Sequence, residues 1–312
     1  MTNNLPTAGS KSELWQANRA LSKNMELLVK IIFGIFAAIS VATTFGIVLT
    51  LIFETIEFFK EVPFWNFLTS RQWTPLFSNA QFGIFVLISA TVMTTVIAIL
   101  VALPLGLMAA IYMSEYASPK IRKLLKPALE ILAGVPSVVF GYFALLTVTP
   151  VLQFFIPGLQ GFNALSAGLV LGISILPVVA SLSEDAIYSV PRSLRDGAYA
   201  LGSTKRETVV SVVLPAALSG IVASVILAVS RAIGETMIVT LAAGQNPRLG
   251  LNPLVPVQTM TSFIVQVSLG DTPAGSLAYK TIFVVGMTLF LITLVLNLFS
   301  FWFVRKFQEK YE

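Results

Sequence analysis

Residues 82–113 read FGIFVLISATVMTTVIAILVALPLGLMAAIYM, and no charged side chain interrupts them. A helix rises about 1.5 Å per residue, and crossing a bilayer's hydrocarbon core takes about 20 residues. The run is therefore read as a membrane span, with Pro104 and Gly106 near its end. Working outward, comparable runs lie at 28–56, at 127–149 (beginning near Glu130, Gly134 and Pro136), at 164–182 around Pro177, at 216–243 and at 278–304. The chain is 56% hydrophobic and 11% charged, against about 25% charged in an ordinary soluble domain. Surface-to-volume scaling leaves a soluble chain of this size no way to hide so much apolar surface. The fold class is all-α, a polytopic transmembrane protein of six spans. Small residues such as Ala217, Gly220, Ala223, Ala228 and Gly234 permit close helix packing where hydrophobicity cannot discriminate between neighbours.

Six spans put both termini on one side, and the basic residues choose it. Lys11, Arg19, Lys23, Lys30, Lys120, Arg122, Lys123, Lys126, Arg192, Arg195, Lys205, Arg206, Arg305, Lys306 and Lys310 share one face, whereas Lys60, Arg71, Arg248 and Lys280 lie on the other. Such an imbalance places the basic face in the cytoplasm. The organisation is then a cytoplasmic tail over 1–27, a transmembrane domain over 28–304 with an extracytoplasmic loop at 57–81 and a cytoplasmic loop at 183–215, and a cytoplasmic tail over 305–312. The polar N-terminal stretch is unlike a cleaved leader, so the first span is expected to be retained. In the 57–81 loop, Trp65 and Trp73 suit a headgroup-level anchor or an ordinary loop packed on the helix ends.

Cysteine and histidine are absent. This removes a disulfide framework, a thiol nucleophile, the commonest general base and the commonest metal ligand. Soluble hydrolase, zinc enzyme and haem protein are poor readings, and no catalytic or metal-ligating residues are assigned. The net charge of +5 is explained by the basic face and is no nucleic-acid footprint.

The 183–215 loop, SEDAIYSVPRSLRDGAYALGSTKRETVVSVVLP, carries helix signals. Pro191 suits a first turn, Ala198, Tyr199 and Leu201 form a short amphipathic stretch, and Ser203 or Thr204 can cap a second helix with Glu207 in its first turn. Two short helices joined at Gly202 make a knob able to transmit force from a partner, or merely a connection between spans.

Within the fifth span lies Ser230-Arg231-Ala232-Ile233-Gly234-Glu235-Thr236. A charge at mid-bilayer costs roughly 2.5–3.5 kcal/mol even on insertion-derived scales, so Arg231 and Glu235 are expected to face protein or an aqueous pathway. Four apart on one helix, they can pair. The guanidinium matches an oxyanion bidentately. The competing reading is a buried pair that fixes packing.

The loop pattern resembles the signature of binding-protein-dependent ABC-importer permeases: Glu-Ala-Ala, three residues, Gly, nine residues, Ile, one residue, Leu-Pro. Here it reads Asp196-Gly197-Ala198, Gly202, Val212, Leu214-Pro215, with Asp196 and Gly197 departing from the first two letters and Val212 a mild change. The resemblance implies the type I importer (MetI-like) permease fold. It makes this loop the coupling helix that docks in an ATPase subunit, through Asp196, Gly197, Ala198, Gly202, Lys205, Arg206, Leu214 and Pro215.

Arg231-Ala-Ile-Gly-Glu-Thr236 is similar to a segment of the high-affinity phosphate-importer permeases, as is Gly134-Val-Pro-Ser-Val-Val-Phe-Gly141. The Trp73-Thr74-Pro75 loop leading to Phe82-Gly83 resembles PstC-type more than PstA-type subunits. That likeness implies a phosphate pathway at Ser230, Arg231, Glu235 and Thr236, in a bacterial plasma membrane (the inner membrane of a Gram-negative cell). It further implies four kinds of partner: a PstA-type permease, a PstB-type ATPase dimer, an extracytoplasmic PstS-type phosphate-binding protein and membrane lipid. No Gly-x-x-x-x-Gly-Lys-Ser/Thr loop is present, so ATP and Mg2+ are expected in the ATPase partner, and this chain is expected to bind no cofactor and to be a non-catalytic subunit. Molybdate or sulfate in place of phosphate, and an ATP-independent anion transporter, are the alternatives.

Pro104, Pro136, Ser137 and Pro177 are gate or hinge candidates, against ordinary packing bends. Gly141-Tyr142-Phe143 can line a gate or fill a core. The loop from 243 to 275, with Pro247, Pro253, Pro256 and Pro273, suits a docking surface for the binding protein or a turn that covers the pore.

Overall fold

The computed structural model describes residues 19–307, with side chains described from Met25 to Lys306. Expectations placed on Lys11, Lys310, the side chains of Arg19 and Lys23, and the remainder of 1–18 and 308–312 lie outside the described residues. The chain divides into two compact units, Met1–Phe53 and Glu54–Glu312. Helix α1 (Arg19–Glu61) runs through the boundary. In the first unit its large side chains, among them Leu28, Phe36 and Phe45, are exposed, as suits a helix that is hydrophobic all round and solvated by lipid.

The second unit contains α2 (Phe64–Thr69), α3 (Phe85–Tyr116), α4 (Pro119–Ala133), α5 (Ser137–Phe155) and α6 (Ala164–Tyr188). It continues with α7 (Arg192–Ala200), α8 (Lys205–Ala216) and α9 (Leu218–Ile233), bent by 68° from each other. Helices α10 (Met237–Ala242), α11 (Met260–Leu269) and α12 (Leu277–Phe307) complete it. Among the described residues the only strand-like pairing is one antiparallel bridge, Trp73 to Phe82. Among the described residues, six stretches are long and apolar enough to cross a membrane when the bent pair α8–α9 counts as one. The number is the one the sequence predicts, but the fifth stretch covers 205–233 and not 216–243, because the helix that enters it starts at the Thr204 cap.

The third span is shifted. It was expected over 127–149, yet the crossing helix is Ser137–Phe155, and 127–133 belong to α4. Ser118 caps α4 by accepting the Ile121 N–H, and Pro119 opens it. Gly134 ends it, and Pro136 keeps Val135 from continuing the helix. The resulting amphipathic helix presents Leu124 and Ile131 to the outside and Arg122 and Lys126 toward α6. The apolar run through 127–149 is one string in sequence and two helices in space.

Helix α6 is the axis of this unit and packs along α3 for most of its length, with α4, α5, α9 and α10 also against it. The α3 contact is close because glycines make it so. Gly168 faces Ile97, Gly106 faces Val179, and a β-carbon added at Gly172 would lie 2.7 Å from the backbone carbonyl oxygen of Ala98. Without a solvent-driven force between helices in lipid, such van der Waals fit is what joins them. Gly172→Leu is expected to destabilise the protein by about 1–3 kcal/mol through overpacking, read as a lower melting temperature of the purified protein. An unchanged melting temperature would show that this contact does not hold the two spans.

A second core joins the loop after α2 to α11. Trp73 is 1% exposed and meets Phe263 edge-on at 5.0 Å between ring centroids. Phe67 and Phe82 also meet it edge-on, and Phe58 packs edge-on against both of them. Trp65 is 72% exposed. The two tryptophans therefore divide the sequence alternatives between them: Trp65 is available as an interfacial anchor and Trp73 is core. The loop at 243–275 holds α11, capped by Thr259, with Met260, Thr261, Ser262, Phe263 and Val267 buried. Only its flanks, such as Leu249, Leu251 and Leu269, are exposed.

Candidate functional site

Residues 183–188 complete α6, and the rest of the 183–215 segment folds as two short helices turning at a glycine. Pro191 precedes α7. At its end the N–H groups of Gly202 and Ser203 donate to the carbonyls of Tyr199 and Ala198 at 2.9 and 3.1 Å, with Gly202 at φ +85°. This closing turn requires a left-handed residue, which glycine supplies without strain. Thr204 then opens α8 in a reciprocal capping box: its hydroxyl accepts the Glu207 N–H, while the Glu207 carboxylate accepts the Thr204 N–H at 2.8 Å.

Asp196, Gly197, Gly202, Lys205, Arg206 and Pro215 lie on the surface, and Leu214 is half-buried. Ala198 is buried within the chain, so it seats α7 and is not itself free to touch a partner. Leu201, absent from the sequence-derived set, is 89% exposed at the tip of the knob. An apolar residue beside a left-handed glycine was the signal available for it.

The fifth span is discontinuous. Helix α9 ends at Ile233, Gly234 donates to the Ser230 carbonyl at 3.2 Å, and the chain restarts as α10. The pairing open to Arg231 and Glu235 does not form, because four-residue spacing brings side chains together only on an unbroken helix. The Glu235 Oε1 instead accepts the N–H groups of Met237 and Ile238 at 3.1 and 3.4 Å, capping α10. Arg231, in the last turn of α9, is exposed and has no ion-pair partner among the described residues. Its charge suits the negative end of the helix dipole. Thr236 donates to the Gly234 carbonyl at 3.3 Å, and the Ser230 hydroxyl is buried without a hydrogen-bond partner. The Thr261 hydroxyl of α11 donates to the Glu235 carbonyl at 2.7 Å and fixes the break from the side.

The base of the bundle holds ionic clusters that sequence inspection missed. Glu184 of α6 is fully buried and accepts from both Arg122 and Lys126 of α4, the latter at 3.0 Å. Lys126 also reaches Asp185 at 2.9 Å, and the Arg122 guanidinium stacks 4.1 Å over the Tyr188 ring. Glu115, in the terminal turn of α3, pairs with Arg195 of α7 at 2.8 Å.

The proline candidates separate. Pro104 is exposed and Pro177 buried, and both α3 and α6 continue through them unbroken. Pro136 and Ser137 mark the start of α5. The sharp bend falls instead after Pro215, between α8 and α9. Gly141 packs beneath Leu241 of α10, leaving Tyr142 and Phe143 outward.

A family model described as binding-protein-dependent transport system inner membrane component matches residues 102–312. The chain is 36% identical over 228 residues to the probable ABC transporter permease protein YqgH of Bacillus subtilis, covering 73% of this chain and 74% of that one. It is 34% identical over 250 residues to the phosphate transport system permease protein PstC of Mesorhizobium japonicum, covering 74% and 75%. With the protein of the same name from Haemophilus influenzae it shares 31% over 302 residues, 91% of each chain. Among solved structures, a bacterial alginate ABC transporter aligns with a TM-score of 0.63 at 15% identity, over 92% of this chain and 99% of that one. The inward-facing MetNI methionine ABC transporter aligns at 0.53 and 17%, over 73% and 95%. At such identities the structural likeness speaks to the fold.

Proposed function

This chain belongs to the family of binding-protein-dependent transport system inner membrane components, and from that premise we propose that it is the PstC-type permease subunit of an ATP-driven phosphate importer. It is a polytopic ABC-transporter permease, a translocation subunit within a multi-subunit complex. The finer reading adds a PstA-type permease, a PstB-type ATPase dimer using ATP and Mg2+, and a PstS-type phosphate-binding protein. The basic-residue bias supports cytoplasmic termini.

The observation that carries the reading is Arg231 at the end of α9, exposed and without an ion-pair partner among the described residues. An unpaired guanidinium turned to lipid costs roughly 2.5–3.5 kcal/mol or more, so this exposed face meets a protein partner or a watered pathway shared with it. A guanidinium there attracts an oxyanion and holds it by two parallel bonds. Broken helices are where transporters place solute sites. Glu235, committed to capping α10, shapes that break and leaves the Arg231 charge for the solute. The buried hydroxyl of Ser230 stands outside the exposed set in this conformation. The relatives called phosphate permeases support phosphate over other anions.

Competitive uptake by the full complex in vesicles tests the substrate. Phosphate accumulation should persist in tenfold excess sulfate or molybdate, and displacement by either would reassign the oxyanion. Coupling is tested at the knob. Burying a leucine is worth about 1.5–3 kcal/mol, so Leu201→Asp should weaken association with the ATPase subunit by about tenfold or more. Undiminished co-purification would mean that the knob is not the docking element, as an ATP-independent transporter requires.

A further inference from the structure

The side of α7 turned away from the exposed knob carries Arg195, and one guanidinium there joins three elements. Its Nη2 and Nε both donate to the Glu115 Oε1 of α3, at 2.8 and 3.2 Å. Nη2 also donates to the Ile187 carbonyl of α6 at 2.9 Å, and Nη1 to the Val190 carbonyl just beyond. These carbonyls lie at and just past the C-terminal end of α6, where intrahelical donors run out, although Ile187 also accepts the Val190 N–H at 3.3 Å. Arg195 is 15% and Glu115 7% exposed, so water weakens the pair little. From the far side of Gly202, the Lys205 ammonium lies 4.7 Å over the ring of Tyr116. Both short helices thus bear on the same turn of α3, Tyr112–Tyr116.

That turn is π-helical, closed by Ala117 donating to the Tyr112 carbonyl at 2.7 Å. Such turns are wider than the α-helix and recur at functional sites. Above it, α3 continues to Thr91, whose hydroxyl accepts the Met260 N–H of α11 at 3.0 Å. The neighbouring Thr261 holds the Glu235 carbonyl at the break beside Arg231. A contiguous series of hydrogen bonds and packed helix therefore joins the knob to the broken span through α3, in addition to the covalent route through α8 and α9.

We propose that Glu115 is a positioning residue for coupling: by holding Arg195 it makes α7 and the base of α3 move as one piece, so that displacement of the knob reaches the solute site through α3. This rests on the reading of 196–215 as the segment that docks the ATPase. Coupling of this kind is demonstrated energetically and not by contiguity alone.

The test uses the full complex with its binding protein in vesicles, measuring ATP hydrolysed and phosphate imported together. In Glu115→Ala the ATPase subunits co-purify as in wild type and hydrolysis stays within about twofold, while phosphate imported per ATP falls about tenfold, within the range seen for residues that carry coupling. Glu115→Gln, which keeps the shape and one acceptor, recovers part of that ratio. It is also the variant to measure if Glu115→Ala fails to reach the membrane. Because both residues act through one contact, Glu115→Ala combined with Arg195→Ala lowers the ratio no further than the worse single change.

An unchanged import-to-ATP ratio in Glu115→Gln and Glu115→Ala, or fully additive losses in the double variant, overturns the proposal while leaving the docking reading intact. Failure of that reading shows separately, as retained ATPase association in Leu201→Asp.

Discussion

Replacing Arg231 by alanine is expected to abolish phosphate uptake, by at least about a hundredfold, while the complex still assembles. A hydrogen bond to a charged group is worth about 1.5–3 kcal/mol, and a bidentate guanidinium–phosphate contact supplies two. Loss of both exceeds the roughly 1.4 kcal/mol that changes an equilibrium tenfold by a factor of two or more. Assembly survives because Arg231 is exposed and pairs with no carboxylate among the described residues of its own chain, so its removal strands no partner there. Radiolabelled phosphate uptake at matched membrane abundance measures the effect. Arg231→Lys should retain a fraction, since a lysine keeps the charge but not the planar fork. Uptake equal to wild type in the alanine variant would remove Arg231 from the pathway and with it the main physical support for an anionic solute.

The second large effect is on stability. Glu184 is fully buried between Arg122 and Lys126, themselves 27% and 33% exposed in their side chains. Deleting one member of a buried ionic cluster costs about 3–5 kcal/mol, because the remaining charges lose their compensation. Glu184→Ala should fall near 3 kcal/mol, the lower bound, since both cations can still reach water. The readout is a drop in the melting temperature of the purified complex and faster proteolysis around α4. A variant as stable as the parent would show that apolar packing alone holds α4 to α6.

The same cluster has a pH signature. Hydrogen bonds to Asp185 first and Glu184 second hold the Lys126 ammonium above its ordinary range, against the opposing effect of burial. A group whose folded pKa is raised contributes its stability fully below the unfolded value and loses it as pH climbs through the folded one. The increment from Lys126 is therefore in place at neutral pH and disappears only above the ordinary lysine value of 10.5. Amine acylation followed by mass spectrometry should find Lys126 slower to react than the exposed Lys123, and faster once Glu184 is replaced.

The two effects concern different faces of one design. At the base of the bundle, charges are buried, paired and spent on holding helices together. At the break of the fifth span a charge is left unspent. The proposed importer would use both: stiffness where force is received, and an uncommitted cation where the anion is held.

Local pattern was enough for much of this. Runs of apolar residues about 20 long specify the helical membrane class, and the signals at Pro191, Gly202, Thr204 and Glu207 predict the two-helix knob, because turn and cap chemistry acts over a few residues. Arg231 stood out because one charge inside an apolar run has no local explanation. Hydropathy places the start of the third span too early, since it does not see that Gly134 and Pro136 cut an apolar string in two. The partner of each charge was beyond reach: Arg122 finds Glu184 62 positions away and Arg195 finds Glu115 80 positions away. The nearby pair, Arg231 and Glu235, is separated by a helix end. Apolar run length, cap chemistry and one isolated cation are legible along the chain. Which charges pair, and that Arg231 is exposed with no ion-pair partner among the described residues, follow from packing, because a side chain's electrostatic partner is set by how distant segments meet and not by its neighbours along the chain.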